Sequence, residues 1–542
     1  MSYPLTIQAL IVEDQDEPKE MYEQIFESLA SEFSCFPFRF LPPLFVFSYE
    51  SAQKFLAGSK MFHLVILDLR LPENDKGAQS EQIEFGQALL IKCLERERFP
   101  IPSLLVISGH IDKIEQDNLH NSVRNGFYHG RVFVKQNYEL IQLEIKKACE
   151  AALRYCAVGV HLRDTLGKLF PTLSCREDDL LRRSVLQQPG AIGVDLSWWN
   201  AELESRGYRS SEIWKKVLIG RYLFADGIGP SRPRFFKFMP RSGAENVILG
   251  AHRLEQKLHH IKVLSEVLGA DRALIVTEKV GASDERPISL EDFLVRPDCS
   301  PSGVTCVADQ IINQLDVLGD LQPASKAIKG LFWCHHDKAA LKEQWNRFAG
   351  YKGASALEMK PGCVEDVLEI MSSKEIVRFN QRSCSHGDLN ISNIALDIND
   401  SNIPNAYIFD AGNNTRDVAG KDIAVLEVSA LLHQGHFDEC EFAQLCKVLY
   451  ATEFIPDEDG LEELSWSSRN TLQLLRRLRI GLKDTVKPSI YSLMVLDYAA
   501  IQLEGLHYTS GNKVQNPYCA AILFAASAAW CVKQKIGFAA VT

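Results

Sequence analysis

His386-Gly387-Asp388-Leu389-Asn390-Ile391-Ser392-Asn393, followed by Tyr407-Ile408-Phe409-Asp410-Ala411-Gly412, is the stretch on which the reading of this 542-residue chain turns. Residues 393–397 and 406–409 read as two short strands joined by a loop rich in Asn, Asp, Ser and Pro, a hairpin with functional groups at both ends. Hairpin pairing brings Asn393 and Asp410 within reach of each other. With Asp388 five residues before Asn393, one loop offers a base to a hydroxyl, while Asn393 and Asp410 offer oxygens to a magnesium ion that bridges phosphate oxygens. An isolated His-Gly-Asp is usually a surface turn. A carboxylate, an amide and a second carboxylate at these spacings point instead to phosphoryl transfer.

Upstream, residues 217–224 and 234–239 read as strands separated by the turn Asp226-Gly227-Ile228-Gly229-Pro230. Val247, Ala251, Leu254, Leu258, Ile261, Val267 and Leu268 define one helical face. A strand at 273–277 then runs into Glu278-Lys279-Val280-Gly281 and a helix at 289–294. This order resembles the amino-terminal lobe and hinge of kinases. The resemblance implies that Lys237, inside Phe236-Lys237-Phe238, holds the α and β phosphates of ATP and that Glu255 orients it, with Glu245 a rival for that role. It also implies that the backbone of Thr277, Glu278, Lys279 and Val280 meets adenine.

From about residue 205 to 540 the chain resembles the aminoglycoside and choline kinase-like phosphotransferases, whose hallmark is a His-Gly-Asp loop with a downstream Asn and a metal-binding Asp. More narrowly, the Asp-Ala-Gly and Asp-x-Ala-x-Leu-Glu pattern is similar to the ternary-complex-associated phosphotransferase-like domains of bacterial signalling and conflict systems. The segment 415–427 resembles the family's structural segment after the metal Asp, which implies that Asp422 is a buried carboxylate bracing the loop. No Gly-x-Gly-x-x-Gly precedes Lys237, and Ala411 follows Asp410 where kinases often place an aromatic residue.

The first 155 residues alternate short apolar runs (9–12, 44–47, 64–67, 104–107 and 132–134) with helical stretches at 18–30, 81–97 and 138–153. Five parallel strands with helices on both faces are expected, with the ligand crevice at the strands' carboxyl ends. Glu13 and Asp14, Asp68, Ser108 and Lys135 all fall at such ends. Three converging carboxylates favour a divalent cation, magnesium by chemistry. With that metal and Lys135 neutralising charge, Asp68 can attack a phosphoryl donor, and Ser108 can hydrogen-bond the product.

Residues 5–155 thus resemble the receiver domain of two-component response regulators. The resemblance implies phosphorylation of Asp68 by a partner histidine kinase. The loop after Asp68 is long, with Gly86 similar to the family's turn glycine. Gln136 replaces the usual proline, and Val132 stands where an aromatic switch residue is common.

The expected fold is therefore α/β: a doubly wound, five-stranded parallel receiver domain (1–155), a connector (156–205), and a two-lobed protein-kinase-like α+β domain with a small lobe (206–285) and a large helical lobe (286–542). The expected function is a receiver-regulated, ATP- and magnesium-dependent phosphotransferase acting on an unidentified hydroxyl acceptor. The alternatives are a protein kinase acting on a partner and a nucleotide-binding pseudokinase scaffold. A net charge of −11 argues against sequence-independent nucleic-acid binding. The longest apolar stretch, 519–531, is shorter than the roughly 20 residues of a membrane span. With no secretory signal at the start and scattered cysteines, cytoplasmic residence is expected, and homodimerisation is left open. Cys334-His335-His336-Asp337 lacks tetrahedral ligand spacing and reads as a loop. Arg476, Arg477 and Arg479 read as a solvated helical face, with an anionic substrate as the alternative.

Overall fold

In the computed structural model the apolar runs of the first third of the chain become β1 (Leu5–Ile7), β2 (Ala9–Val12), β3 (Phe38–Phe40), β4 (Leu44–Val46), β5 (Leu64–Leu67), β6 (Ser103–Ser108) and β7 (His129–Val134). The structure describes residues 5–15, 17–33, 38–58, 60–74, 83–94, 101–108, 113–134, 138–162, 173–198, 216–224, 233–242, 244–258, 262–269, 271–278, 288–332, 336–348, 363–398, 404–409, 417–432, 437–451, 453–457, 464–508 and 516–534. They divide into one unit of Met1–Trp199, Trp214–Ala244 and Leu264–Thr277, and a second unit of the remainder.

Five strands pair in parallel in the order β4-β2-β5-β6-β7. Because successive side chains point to opposite faces, each strand supplies both. Leu10, Val12, Val65, Leu67, Leu104 and Val106 pack with residues of α2 (Tyr49–Ala57), α3 (Ile83–Leu94) and α4 (Lys113–Gly126). Ala9, Ile11, Leu64, Ile66, Leu105 and Ile107 pack with α1 (Glu17–Glu32) and α5 (Tyr138–Ala157). Each large aliphatic side chain so buried contributes roughly 1.5–3 kcal/mol, which is why strands covered on both faces read as unbroken apolar runs. The doubly wound sheet is the one expected. A parallel ribbon of β1 and β3, absent from the sequence reading, adjoins it in the chain. Gly86, read as a turn glycine, lies inside α3, where a Cβ would come within 2.4 Å of the Leu69 backbone. Its role is close approach of helix to strand end.

A second sheet in the same unit has six strands in the order β12-β13-β11-β10-β9-β8. These are β8 (Gly159–Leu162), β9 (Ala191–Trp198), β10 (Lys216–Phe224), β11 (Arg234–Pro240), β12 (Val263–Leu268) and β13 (Arg272–Glu278). The stretch 156–205, read as a connector, thus supplies two strands and helix α6 (Cys175–Leu186), which opens on a Ser174–Glu177 capping box. Arg183 of α6 donates to the carbonyls of Asn125 (2.9 Å) and Leu268 (3.0 Å). The helical face drawn through Val267 and Leu268 is corrected: the helix ends at Leu258, and 263–268 is strand β12. It is the edge strand, paired with β13 on one side, while the side-chain amides of Gln187 and Gln188 donate to the Glu266 and Leu264 carbonyls; its inward residues are Ser265 and Val267.

The second unit is mainly helical. Helices Pro301–Leu318, Lys421–Leu432, Trp466–Leu482, Pro488–Tyr508 and Pro517–Lys533 contribute to one large apolar core. Two three-stranded sheets accompany them, β14-β17-β18 and β15-β16-β19, where β14 is Ile288–Ser289, β15 Leu321–Ala327, β16 Ile376–Arg382, β17 Ile394–Ile398, β18 Pro404–Ile408 and β19 Asp417–Val418. Arg479 does not belong to a solvated face. It is fully buried, donates to Glu427 from Nε (3.0 Å) and Nη2 (2.5 Å), and stacks on Tyr450, Tyr491 and Trp530. Arg477 of the same helix pairs with Asp309. Among the described residues, no helix is long and apolar enough to cross a membrane.

Candidate functional site

The loop from His386 to Asn393 is held from beneath by one carboxylate. Asp422, at the start of helix Lys421–Leu432, accepts the backbone N–H of His386 at Oδ2 (2.9 Å) and of Gly387 at Oδ1 (2.8 Å). Gly387 sits at φ +81°, a left-handed conformation that a Cβ would strain. Burial pushes the Asp422 carboxyl above its ordinary range, opposed by His386 and by the two backbone donors. His386, fully buried, sets Nε2 2.9 Å from the carbonyl oxygen of Phe409, so that nitrogen carries the proton.

Further along, the apolar side chains of Leu389 and Ile391 are buried, while Ile391 donates its N–H to Ser429 Oγ (2.9 Å). The polar residues Asn390 and Asn393 bond within the loop. Asn393 Nδ2 donates to the Asp388 carbonyl oxygen (2.7 Å), and Asn390 donates its N–H to the same oxygen (3.0 Å). Asp388 is half-buried and Asn393 is buried. A short 3-10 turn, Ile391–Asn393, leads into β17, which pairs with β18 in the register Ile394↔Ile408. Phe409 donates its N–H to the Asn393 carbonyl oxygen (3.0 Å), so the hairpin sets Asn393 beside the chain that continues to Asp410. Asp410 itself lies outside the described residues, as do Lys135, Lys279 and Val280.

One neighbour of this loop escaped the sequence reading. Tyr498 lies on helix Pro488–Tyr508, within an apolar stretch of the sequence. Burial raises its hydroxyl pKa, and the charges of Asp388, Asp422, Asp497 and Asp417 raise it further. Its helical spacing gave only an apolar signal; what marks it is the company of carboxylates drawn from distant segments.

Lys237 lies mid-strand in β11, opposite Val217, and is 8% exposed, with Phe236 and Phe238 fully buried beside it. Glu255 belongs to the other unit. It pairs with His252 on its own helix, Nδ1 to Oε2 at 3.2 Å. Thr277 and Glu278 end β13, both half-buried.

In the amino-terminal sheet the structure brings Glu13, Asp14 and Asp68 together: each offers a carboxylate oxygen, all within 4.8 Å of one another. Parallel pairing does this, since β2 and β5 are neighbours in the register Val12↔Leu67 and the acids follow directly. Glu13 and Asp68 are buried. The Tyr22 hydroxyl, fully buried, is raised in pKa by burial and then by Glu13 and Asp68. Ser108 ends β6, the next strand, with its hydroxyl buried and without a hydrogen-bond partner among the described residues. A set of hard oxygens at this spacing fits magnesium, and a buried orphan hydroxyl is a ready donor to an anion.

No protein-family model matches the sequence, and no curated protein matches it. Solved structures similar to this chain include a putative aminoglycoside phosphotransferase from Ralstonia eutropha JMP134, at 11% identity and TM-score 0.30, covering 62% of this chain and 97% of that one. Choline kinase from Cryptosporidium parvum Iowa II matches at 10% identity and TM-score 0.26, over 60% of this chain and 87% of that one. Plasmodium vivax ethanolamine kinase matches at 11% identity and TM-score 0.29, over 77% and 95% respectively.

Proposed function

We propose that the chain is an ATP-dependent phosphotransferase acting on a hydroxyl acceptor and switched by phosphorylation of Asp68. The observation that supports it best is the clamp on residues 386–393. Asp422 fixes two consecutive N–H groups, and the Asn393 amide nitrogen is committed to the Asp388 carbonyl, which leaves Asn393 Oδ1 for a cation. A carboxylate and an amide oxygen are thereby preorganised on one loop.

In this reading Asp388 accepts the proton of the acceptor hydroxyl as that oxygen bonds to the γ-phosphorus and the bond to the leaving ADP oxygen breaks. Asn393 and Asp410 would hold magnesium, which would neutralise charge on the phosphate oxygens. Lys237 would bind the α and β phosphates with Glu255 orienting it, and the backbone of 277–280 would take adenine; these assignments rest on the sequence. Glu13, Asp14 and Asp68 would hold a second magnesium while Asp68 takes a phosphoryl group from a partner histidine kinase, with Ser108 and Lys135 binding the product. Reversing a 1:99 population by that modification requires about 5.5 kcal/mol of differential stabilisation.

Asp388→Asn should lower ATP turnover by roughly 10²- to 10⁴-fold at an unchanged melting midpoint. Turnover equal to the parent chain would reject catalysis and leave a nucleotide-binding scaffold. Labelled ATP with panels of small-molecule alcohols and of proteins would identify the acceptor class. Acetyl phosphate treatment should add a phosphoryl mass at Asp68 and shift nucleotide affinity; the absence of both changes would sink the regulatory half.

A further inference from the structure

The β15–β16 hairpin carries a cationic cleft that phosphoryl transfer does not use. Antiparallel pairing sets Pro323 opposite Asn380 and Ser325 opposite Arg378, and the two-residue alternation of strands puts these four on one face. On the other face, Ala324 and Phe379 pack against the core. The polar face, together with Thr485 and Lys487 and with parts of Ala324 and Phe379, lines a cleft of about 500 Å³, a size suited to a small organic ligand. Its wall is fixed in place: Asn380 Nδ2 donates to the Thr485 carbonyl (2.8 Å), and Thr485 Oγ1 donates to the Leu482 carbonyl (3.1 Å).

The charge in this cleft is one-sided. Arg378 and Lys487 make no side-chain hydrogen bond or ion pair with another described residue, and no carboxylate is among the described lining residues. Lys487 immediately precedes the 21-residue helix Pro488–Tyr508, whose first N–H groups add positive potential. Two uncompensated cations and a hydroxyl thus share a preformed concavity on a chain of net charge −11. None of the lining residues belongs to the 386–393 loop.

We propose that this cleft binds a small phosphate monoester, a dianion matching the two cations. Arg378 supplies a planar fork for two phosphate oxygens, Lys487 a point charge, and Ser325 a hydroxyl donor, while Pro323 borders the organic part. Calorimetric titration of the full chain with glycerol phosphate, at constant ionic strength and without magnesium, tests the assignment. The double variant Arg378→Ala/Lys487→Gln should bind about tenfold more weakly or not at all, with its melting midpoint unchanged. Lys487→Gln alone, at an exposed side chain without partners, should weaken binding severalfold, and it decides the matter if the double variant does not fold. Arg378→Lys, which keeps charge and loses the fork, should fall between. Affinity unchanged in these variants, or equal displacement by chloride, would overturn the proposal. The readout is binding rather than ATP turnover, so it stands or falls apart from the phosphotransferase reading.

Discussion

The two acidic centres of this chain are assembled by opposite means. In the amino-terminal unit, three carboxylates converge because parallel strands end side by side. In the carboxyl-terminal unit, four acids are matched within the fold: buried Asp422 by two backbone N–H groups, buried Glu427 by Arg479, Tyr450 and Tyr491, and buried Asp497 and half-buried Glu504 by His336 between them. Converging like charges raise the free energy of a metal-free fold and are relieved by a cation, whereas matched charges are part of the fold's own stability. The first arrangement suits a ligand-dependent state, the second a rigid scaffold.

The largest expected effect tests the matched side. Arg479→Ala strands Glu427 in the core and should destabilise the chain by about 3–5 kcal/mol in denaturant unfolding; a loss under 1 kcal/mol would break the contrast. Asp422→Ala leaves two N–H groups unpaired and should cost about 2–4 kcal/mol while lowering ATP turnover, because stability and loop geometry rest on the same bonds. His336 gives a pH signature. Burial alone would lower its pKa, but bonds to Asp497 (2.8 Å) and Glu504 (2.9 Å) outweigh that and raise it. Its contribution is therefore complete below an ordinary histidine pKa of about 6.5 and fades as pH rises through the higher folded value. The melting midpoint should fall more steeply above that pH than in His336→Gln. On the converging side, Asp14→Asn should raise metal-free stability by roughly a few tenths of a kcal/mol and diminish the magnesium-induced rise in melting midpoint. A lower metal-free midpoint would count against mutual repulsion.

The parallel sheet was legible because strands buried on both faces announce themselves as apolar runs, and its strand ends fixed where Glu13, Asp14, Asp68 and Ser108 would lie. The 393–408 hairpin was equally readable from its paired runs and polar turn. What escaped had an ambiguous or distant signal. Val263–Leu268 continues the apolar stripe of the preceding helix, so only pairing with β13 reveals a strand. Arg479 reads as surface by residue type, and its burial follows from Glu427, 52 residues away. Tyr498 is drawn to Asp388 and Asp422 only once helix Pro488–Tyr508 is folded. Local patterns reported elements; long-range electrostatics reported partners.

The two strands contributed by residues 159–198 bear on any attempt to dissect the protein. A fragment beginning near residue 206 would lack β8 and β9 and bare the long edge of β10, which in the intact chain is paired to β9 from Leu218 to Phe224. An unpaired edge of that length, carrying Leu218, Ile219, Tyr222 and Leu223, invites sticking between copies. Halves separated there would therefore aggregate, and a workable cut has to leave β8 and β9 with the strands they complete.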